Sequence, residues 1–165
     1  KLADMVRIPE PMLSDVRLNE LLRSVEAIAR IECQNRNIRL TLEAAPPETV
    51  IRVDGIQFEQ VLLNIIKNSY EAIGNGGEIR IRISSEPVEI IVEDNGPGIP
   101  EEEQALIFGK FYQGDTSHKS EGNGLGLALV KRALEMMDCT VAVQSAPGEG
   151  TTFAVTIPAE EREMT

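Results

Sequence analysis

The sequence predicts an α/β protein, a two-layer sandwich whose mixed, largely antiparallel sheet is covered on one face by helices. Three observations lead there. Segments around residues 20–35, 55–73 and 124–137 repeat apolar residues at helical spacing. Shorter segments between and after them alternate apolar and polar residues, the period of a strand with one buried face. Some strands are joined by short turns, which makes them antiparallel hairpins, and the glycine-rich stretches fall in connections at one end.

Taken in order, Lys1 to Val6 reads as the last turn of a helix that began upstream. Pro9 and Pro11 stop it, because proline cannot continue a helix interior. Val16-Arg17-Leu18 is a candidate short strand, and Asn19 is a good N-cap for a helix from Glu20 to about Asn35. The apolar stripe of that helix is Leu21, Leu22, Val25, Ile28, Ala29 and Ile31. Ile38 to Leu42 and Val50 to Val53 are strands separated by the loop Ala45-Pro46-Pro47-Glu48. Asp54 caps a helix from Gly55 to Ile73, which Gly74 is placed to end. Phe58, Leu62, Ile65, Ser69, Ala72 and Ile73 form its buried stripe. Gln57, Asn64 and Asn68 occupy a neighbouring stripe, with Asn64 and Asn68 one turn apart. Glu59, Leu63, Lys67 and Tyr70 point outward.

Glu78 to Ser84 and Val88 to Glu93 alternate and form a hairpin across Ser85-Glu86-Pro87. Asp94 ends the second strand and opens Asp94-Asn95-Gly96-Pro97-Gly98-Ile99-Pro100. Glu101 to Ile107 is a short helix with an acidic start. Phe108, Phe111 and Tyr112 anchor one end of a polar stretch, about residues 109–122, that reads as a lid closing over a ligand. Lys110, His118 and Lys119 are its cations. Gly124 to Met137 is the last helix, with Leu127, Val130, Ala133, Leu134 and Met137 inward. Thr140 to Ser145 and Thr151 to Ile157 are strands turning at Pro147-Gly148-Glu149-Gly150, and Glu160 to Thr165 is a charged, frayed tail.

A chain of 165 residues fits one domain with a sizeable core. Its net charge of -11 argues against a general nucleic-acid binder, which needs a basic face. Bound nucleotide remains compatible with it, because a divalent cation and a few local cations offset phosphates. No apolar run is long enough to span a membrane. Cys33 and Cys139 stand in no metal or redox spacing and read as buried apolar groups, consistent with a reduced, cytoplasmic setting. The chain starts at Lys1, which reads as a fragment whose full-length parent could carry membrane segments elsewhere.

The most informative stretch is Glu121-Gly122-Asn123-Gly124-Leu125-Gly126-Leu127. Its glycines let backbone approach a ligand, and the helix that follows offers unpaired N–H groups and a positive dipole end. Alone it reads equally as a flexible loop. Likewise Asn64 and Asn68 read alone as a solvated face, and Asp94-Asn95-Gly96 as a polar turn. Together with Asn64-Ile65-Ile66-Lys67-Asn68 and Gly148-Glu149-Gly150-Thr151-Thr152-Phe153, in this order, the set resembles the ATP-binding domain of sensor histidine kinases. Those stretches match the N box, the first and second glycine boxes and a closing G-x-G-T-x-F, and Ile107 to Tyr112 looks like the F box.

The resemblance implies the Bergerat fold shared with gyrase, heat-shock chaperone and mismatch-repair ATPases. It implies Mg²⁺ held by Asn68 with Asn64 beside the phosphates, and Asp94 accepting a hydrogen bond from the adenine amino group. It implies an ATP pocket that also involves Gly96, Gly98, Ile99, Lys110, Tyr112, Lys119, Gly122, Gly124, Leu125, Gly126, Leu127 and Thr152, with ADP as product. Residues 1–13 are then the end of a dimerisation helix and its linker, 14–159 the ATP-binding domain and 160–165 the tail. The phosphoacceptor histidine would lie on the missing helical domain, with a response regulator downstream. The fragment would be monomeric and the full protein a homodimer. Asn64 stands where the related ATPases carry a water-activating Glu, which disfavours a hydrolytic clamp. A serine kinase of the anti-sigma-factor type and a non-catalytic nucleotide module are the remaining alternatives. Glu71 and Ala72 depart from the Lys and aromatic residue common in sensor kinases, which leaves the subfamily open.

Overall fold

Among residues 8–108 and 123–158, which the computed structural model describes, the chain runs β1 (Ser14–Arg17), α1 (Leu18–Asn35), β2 (Ile38–Leu42), β3 (Val50–Val53), α2 (Gly55–Ile73), β4 (Gly77–Ser85), β5 (Val88–Asp94), α3 (Glu101–Gln104), α4 (Asn123–Met136), β6 (Thr140–Ser145) and β7 (Thr151–Ile157). The order β2-β4-β5-β7-β6 makes a five-stranded sheet, and β1 pairs with β3 as a separate antiparallel ribbon. Only β2 and β4 run parallel, because β3 and α2 intervene between them as a crossover; the remaining neighbours in the large sheet are antiparallel.

Strand alternation assigns the faces. Leu40, Ile79, Ile81, Ile90, Val92, Phe153 and Val155 are buried toward α1, α2 and α4. The opposite face carries Arg39, Arg80, Arg82, Glu93 and Thr152, and Arg82 Nη2 donates to Glu93 at 2.9 Å there. The expected sandwich with one helix-covered face is therefore the observed architecture. Burying the apolar face provides the main driving force for it, at about 25 cal/mol per Å².

Several local expectations change. The N-cap of α1 is Arg17, not Asn19. Asn19 instead bridges to the loop before β3: its Nδ2 donates to the Ala45 carbonyl at 2.9 Å, and its Oδ1 accepts from Ala45 N–H at 2.8 Å. Ile28 and Ile31 are exposed, and the buried stripe is Leu18, Leu21, Leu22, Val25, Ala29 and Cys33. The helix is thus rotated slightly from the stripe the apolar residues suggest, because only one narrow line of it meets α2 and β2. The opposite holds for α2, which packs against both α1 and α4. Val61 and Ile66 are buried as well, Leu63 and Tyr70 pack against the core rather than pointing outward, and Ala72 is exposed. The Arg36 guanidinium covers the Tyr70 ring at 4.9 Å. Both cysteines are free and buried, and burial pushes the Cys139 thiol up to about 11.

The segment before β1 is fastened to the start of α2. The Asp54 carboxylate accepts from Met12 N–H at 2.8 Å and from Gln57 N–H at 3.0 Å, and Gln57 Nε2 donates to the Pro9 carbonyl at 2.9 Å. The Met12 bond, then the Gln57 bond, hold the Asp54 carboxyl below its ordinary value of 3.8. A depressed carboxylate contributes stability above its unfolded value and loses it as pH falls through the folded one. Asp54→Ala is therefore expected to cost about 1 kcal/mol at neutral pH, the usual worth of a helix cap. The difference should shrink below pH 3.8. Urea midpoints at both pH values check this, and an undiminished gap in acid would refute the charge argument.

Candidate nucleotide site

The site assembles along α2, β5 and the loops that β5, β6 and β7 present at one end of the sheet. Asn64 and Asn68 are half-buried and one turn apart on α2. Asn64 lies against the first turn of α4: a Cβ placed on Gly126 would sit 4.0 Å from Asn64 Oδ1. The unpaired N–H groups of that first turn belong to residues 123 to 126. Farther along α2, Ile73 overlies the loop after β5, since a Cβ on Gly96 would lie 3.2 Å from Ile73 Cγ1. One helix thus borders both the N-terminus of α4 and the loop carrying Asp94.

Asp94 ends β5 opposite Thr151 of β7. Its Oδ1 accepts from Gly96 N–H at 2.8 Å. Burial pushes the Asp94 carboxyl above 3.8, opposed first by the Gly96 N–H that Oδ1 accepts. Ser69 Oγ is fully buried and has no hydrogen bond of good geometry. A buried hydroxyl without a partner costs free energy unless a ligand or water completes it. A half-buried carboxylate acceptor suits a heterocycle that offers an N–H donor.

The loop is clamped by residues that carry no family label. Ile99 N–H donates to Ser145 Oγ at 2.8 Å, and Ser145 Oγ donates to the Gly150 carbonyl at 2.9 Å while lying 2.8 Å from Thr151 Oγ1. Gln104 Nε2 donates to both the Ile99 and Ser145 carbonyls, at 2.9 and 2.8 Å. Gly148 N–H donates to the Pro97 carbonyl at 2.6 Å. Two glycines make this contact possible. Gly98 has φ +81 and a Cβ there would fall 2.1 Å from the Ala146 carbonyl oxygen; Gly150 has φ +89 and a Cβ there would fall 2.0 Å from that of Asp94. The β6–β7 turn is thus the backing of the Asp94 loop.

The structure brings Asn64, Asn68, Asp94, Gly96 and Gly126 to this end of the molecule, and it places the other expected members differently. The Leu127 side chain is buried in the core. Thr152 pairs with Glu93 and faces the open side of the sheet; strand parity gives the Asp94 side to Thr151. Gly98 and Ile99 act on the β6–β7 turn through backbone contacts. Lys110, Tyr112, His118, Lys119 and Gly122, with the whole of the expected lid at about 109–122, fall outside the described residues, and Gly124 and Leu125 contribute backbone to the start of α4. Ser69, Gln104 and Ser145 are the residues that motif reading passes over, and Thr151, the Thr of the closing G-x-G-T-x-F, stands in place of the expected Thr152. Their signal is parity: Ser69 and Ser145 are hydroxyl residues at inward positions of otherwise apolar patterns.

The family model described as histidine kinase-, DNA gyrase B- and HSP90-like ATPase matches residues 53–161. The chain belongs to this family. The sensor histidine kinase TmoS of Ectopseudomonas mendocina is 35% identical over 146 residues, which is 86% of this chain and 15% of that protein. The adaptive-response sensory kinase SasA of Parasynechococcus marenigrum is 34% identical over 90% of this chain and 40% of its own length. The chain therefore spans less than half the length of these relatives. Among solved structures, a nucleotide-free catalytic domain of histidine kinase ThkA superposes with a TM-score of 0.78 at 28% identity, covering 89% of this chain and 95% of that domain. Full-length ShkA in complex with AMPPNP gives 0.76 at 28% identity, covering 92% of this chain and 32% of that one. The histidine kinase-like ATPase domain thus carries the helix-covered sheet described above. No helix among its described residues is long and apolar enough to cross a membrane.

Proposed function

We propose that this domain binds Mg·ATP and directs transfer of the γ-phosphoryl group to a histidine on a separate helical domain, as the catalytic part of a two-component sensor kinase. One observation carries the reading. The half-buried Asp94 carboxylate has one oxygen engaged by Gly96 and lies at the end of α2 remote from Asn64 and the amino end of α4. A base acceptor and a phosphate-facing helix start are thus set along one helix.

Each residue has a separate task. Asp94 accepts from the adenine amino group. The N–H groups at the start of α4, Gly124 and Gly126 among them, face phosphate oxygens. Asn68, with Asn64 beside it, supplies amide oxygens of the kind a hard cation takes. Among the described residues no cluster of His, Cys, Asp and Glu competes as a metal site. Mg²⁺ takes few protein oxygens and completes its shell with phosphates and water, so an Asn-based site fits it. The cation supplies charge neutralisation when bound. In the transfer, an imidazole nitrogen from the other domain bonds to the γ-phosphorus as the bond to the β–γ bridging oxygen breaks, releasing ADP. The nucleophile arrives in trans, so this domain needs to position and shield rather than abstract a proton. ThkA, at 26% identity, has been solved in complex with the response regulator TrrA. That complex supports a response regulator as downstream partner here. The domain alone should be monomeric, with the full protein a cytoplasmic-facing homodimer held through its helical domain.

Calorimetric titration with ADP and a non-hydrolysable ATP analogue, each with and without Mg²⁺ and with GTP as control, tests this. Adenine-selective, metal-sensitive binding is expected; equal binding of GTP would remove the adenine assignment. Asn68→Ala should weaken Mg²⁺-dependent binding about tenfold, on the order of one charge-assisted contact. Superimposable Mg²⁺ titrations of the two proteins would remove the metal role.

A further inference from the structure

We infer that Ser145 and Gln104 are positioning residues for base selection: together they clasp the backbone of Ile99, and so hold the loop whose Gly96 N–H sets the Asp94 carboxylate. The inference rests on the reading of Asp94 as the adenine acceptor and goes beyond it. Ser145 is the last residue of β6 and stands opposite Thr151 in the β6–β7 ladder. Backbone pairing closes that hairpin, so the hairpin itself does not call for a serine. The hydroxyl instead reaches a segment 46 residues earlier, where Ile99 N–H donates to Ser145 Oγ at 2.8 Å. Gln104, at the end of α3, completes the clasp. Its Nε2 donates to the Ile99 carbonyl at 2.9 Å and to the Ser145 carbonyl at 2.8 Å. Both backbone polar groups of Ile99 are thus engaged by side chains, one from the sheet and one from the helix after the loop.

The residue types fit this task. A hydroxyl offers one donor and two acceptor positions, and a primary amide offers two N–H donors. Ser145 Oγ donates to the Gly150 carbonyl at 2.9 Å and accepts from Ile99 N–H and from the Thr151 hydroxyl, each at 2.8 Å, which fills all three of its positions. Both N–H donors of Gln104 are filled as well. Gly150 and Thr151 adjoin the start of the same loop. Thr151 pairs with Asp94, and a Cβ on Gly150 would fall 2.0 Å from the Asp94 carbonyl oxygen. Ser145 therefore ties the end of the loop to the strand beside its beginning. With both ends held, Gly96 N–H stays 2.8 Å from Asp94 Oδ1. Without the clasp, the bond from Gly148 N–H to the Pro97 carbonyl is the one hydrogen bond left between residues 96–99 and the β6–β7 turn among the described residues. Gly98, at φ +81, then gives the loop freedom to pivot and carry Gly96 away from the carboxylate.

The test uses the 165-residue chain as wild type, Ser145→Ala, Ser145→Thr and Gln104→Met. Calorimetry with Mg²⁺ gives the Kd for ADP and for GDP, well below the thermal midpoint of each protein. Ser145→Ala and Gln104→Met are each expected to weaken ADP about threefold to tenfold, the worth of one hydrogen bond, and to leave GDP unchanged. Their preference for ADP over GDP should fall by the same factor. Ser145→Thr keeps the hydroxyl on a residue that suits a strand, so it should bind both nucleotides as wild type does. A purely structural role predicts lower midpoints with the wild-type preference intact in the folded proteins, and that result overturns the inference. A Thr variant as weak as the Ala variant overturns it too, because the hydroxyl would then not be what matters. Should Ser145→Ala fail to fold, Gln104→Met decides, since methionine matches glutamine in length and helix preference without its N–H donors. Failure of both to fold would make the clasp structural. A wild type that does not prefer ADP would instead overturn the function proposed for Asp94, and this inference with it.

Discussion

Asp94→Asn should raise the Kd for ADP by roughly 10- to 150-fold while leaving the protein folded, as loss of a hydrogen bond to a charged acceptor implies. The reasoning is atomic. If the new amide keeps its oxygen on Gly96 N–H, as Oδ1 is now, its NH₂ faces the adenine amino group, donor against donor. Guanine has an acceptor oxygen at that ring position, so the variant should lose its preference for ADP over GDP. Stability should not fall. Burial raises the Asp94 carboxyl above 3.8, so the native chain binds a proton more readily than the unfolded chain. Stability is then lost as pH rises from 3.8 through the folded value, and a neutral amide avoids that cost at pH 7. Wild-type nucleotide binding should correspondingly fail in acid earlier than an ordinary carboxylate would dictate. Calorimetry with both nucleotides and a thermal melt test these points. Unchanged ADP affinity would remove Asp94 from the site, and a collapsed melt would show that its role is structural.

Gly150→Ala should be far more damaging to the fold than Gly148→Ala, although both glycines have φ near +80 to +90. The left-handed conformation costs a non-glycine residue about 1–2 kcal/mol in either place. At Gly148 a Cβ meets nothing within 4 Å, so that is the whole expected loss. At Gly150 the Cβ would lie 2.0 Å from the Asp94 carbonyl oxygen and 3.1 Å from Asn95 Cα, both backbone atoms that cannot rotate away. Relief requires β5 and the β6–β7 turn to part, for a total of about 3 kcal/mol or more. A chain of this size should then melt roughly 6–12 °C lower. Because the strain is applied at Asp94, adenine affinity should fall as well, even where the protein is still folded. Equal melting losses in the two variants would show that the close approach to Asp94 does not exist in solution.

The element sequence was largely legible because periodicity is a local property. Apolar spacing marked the long helices, alternation marked the strands, and Asp54 and Gly74 bounded α2 as their chemistry suggests. Misreadings arose where a side chain had two uses. Asn19 is a fine N-cap, yet a loop 26 residues away competes for its amide and wins with two hydrogen bonds. Ile28 and Ile31 fit an apolar stripe, but the single neighbouring layer covers only part of it. Thr152 is the variable position of the closing G-x-G-T-x-F, and the pairing of Asp94 with Thr151 puts it on the other face.

By itself the sequence determined the fold class, the order of elements and the residue types at the site, since the glycine-rich boxes and the two asparagines are patterns within short windows. Only the tertiary structure decided which of them converge. It set Asn64 against Gly126 across the α2–α4 contact, folded the β6–β7 turn under the Asp94 loop, and left the Ser69 hydroxyl buried without a partner. Those outcomes depend on register between strands and on how far each helix is rotated against its neighbours. Both are settled by packing among residues far apart in the chain, where local spacing has no hold.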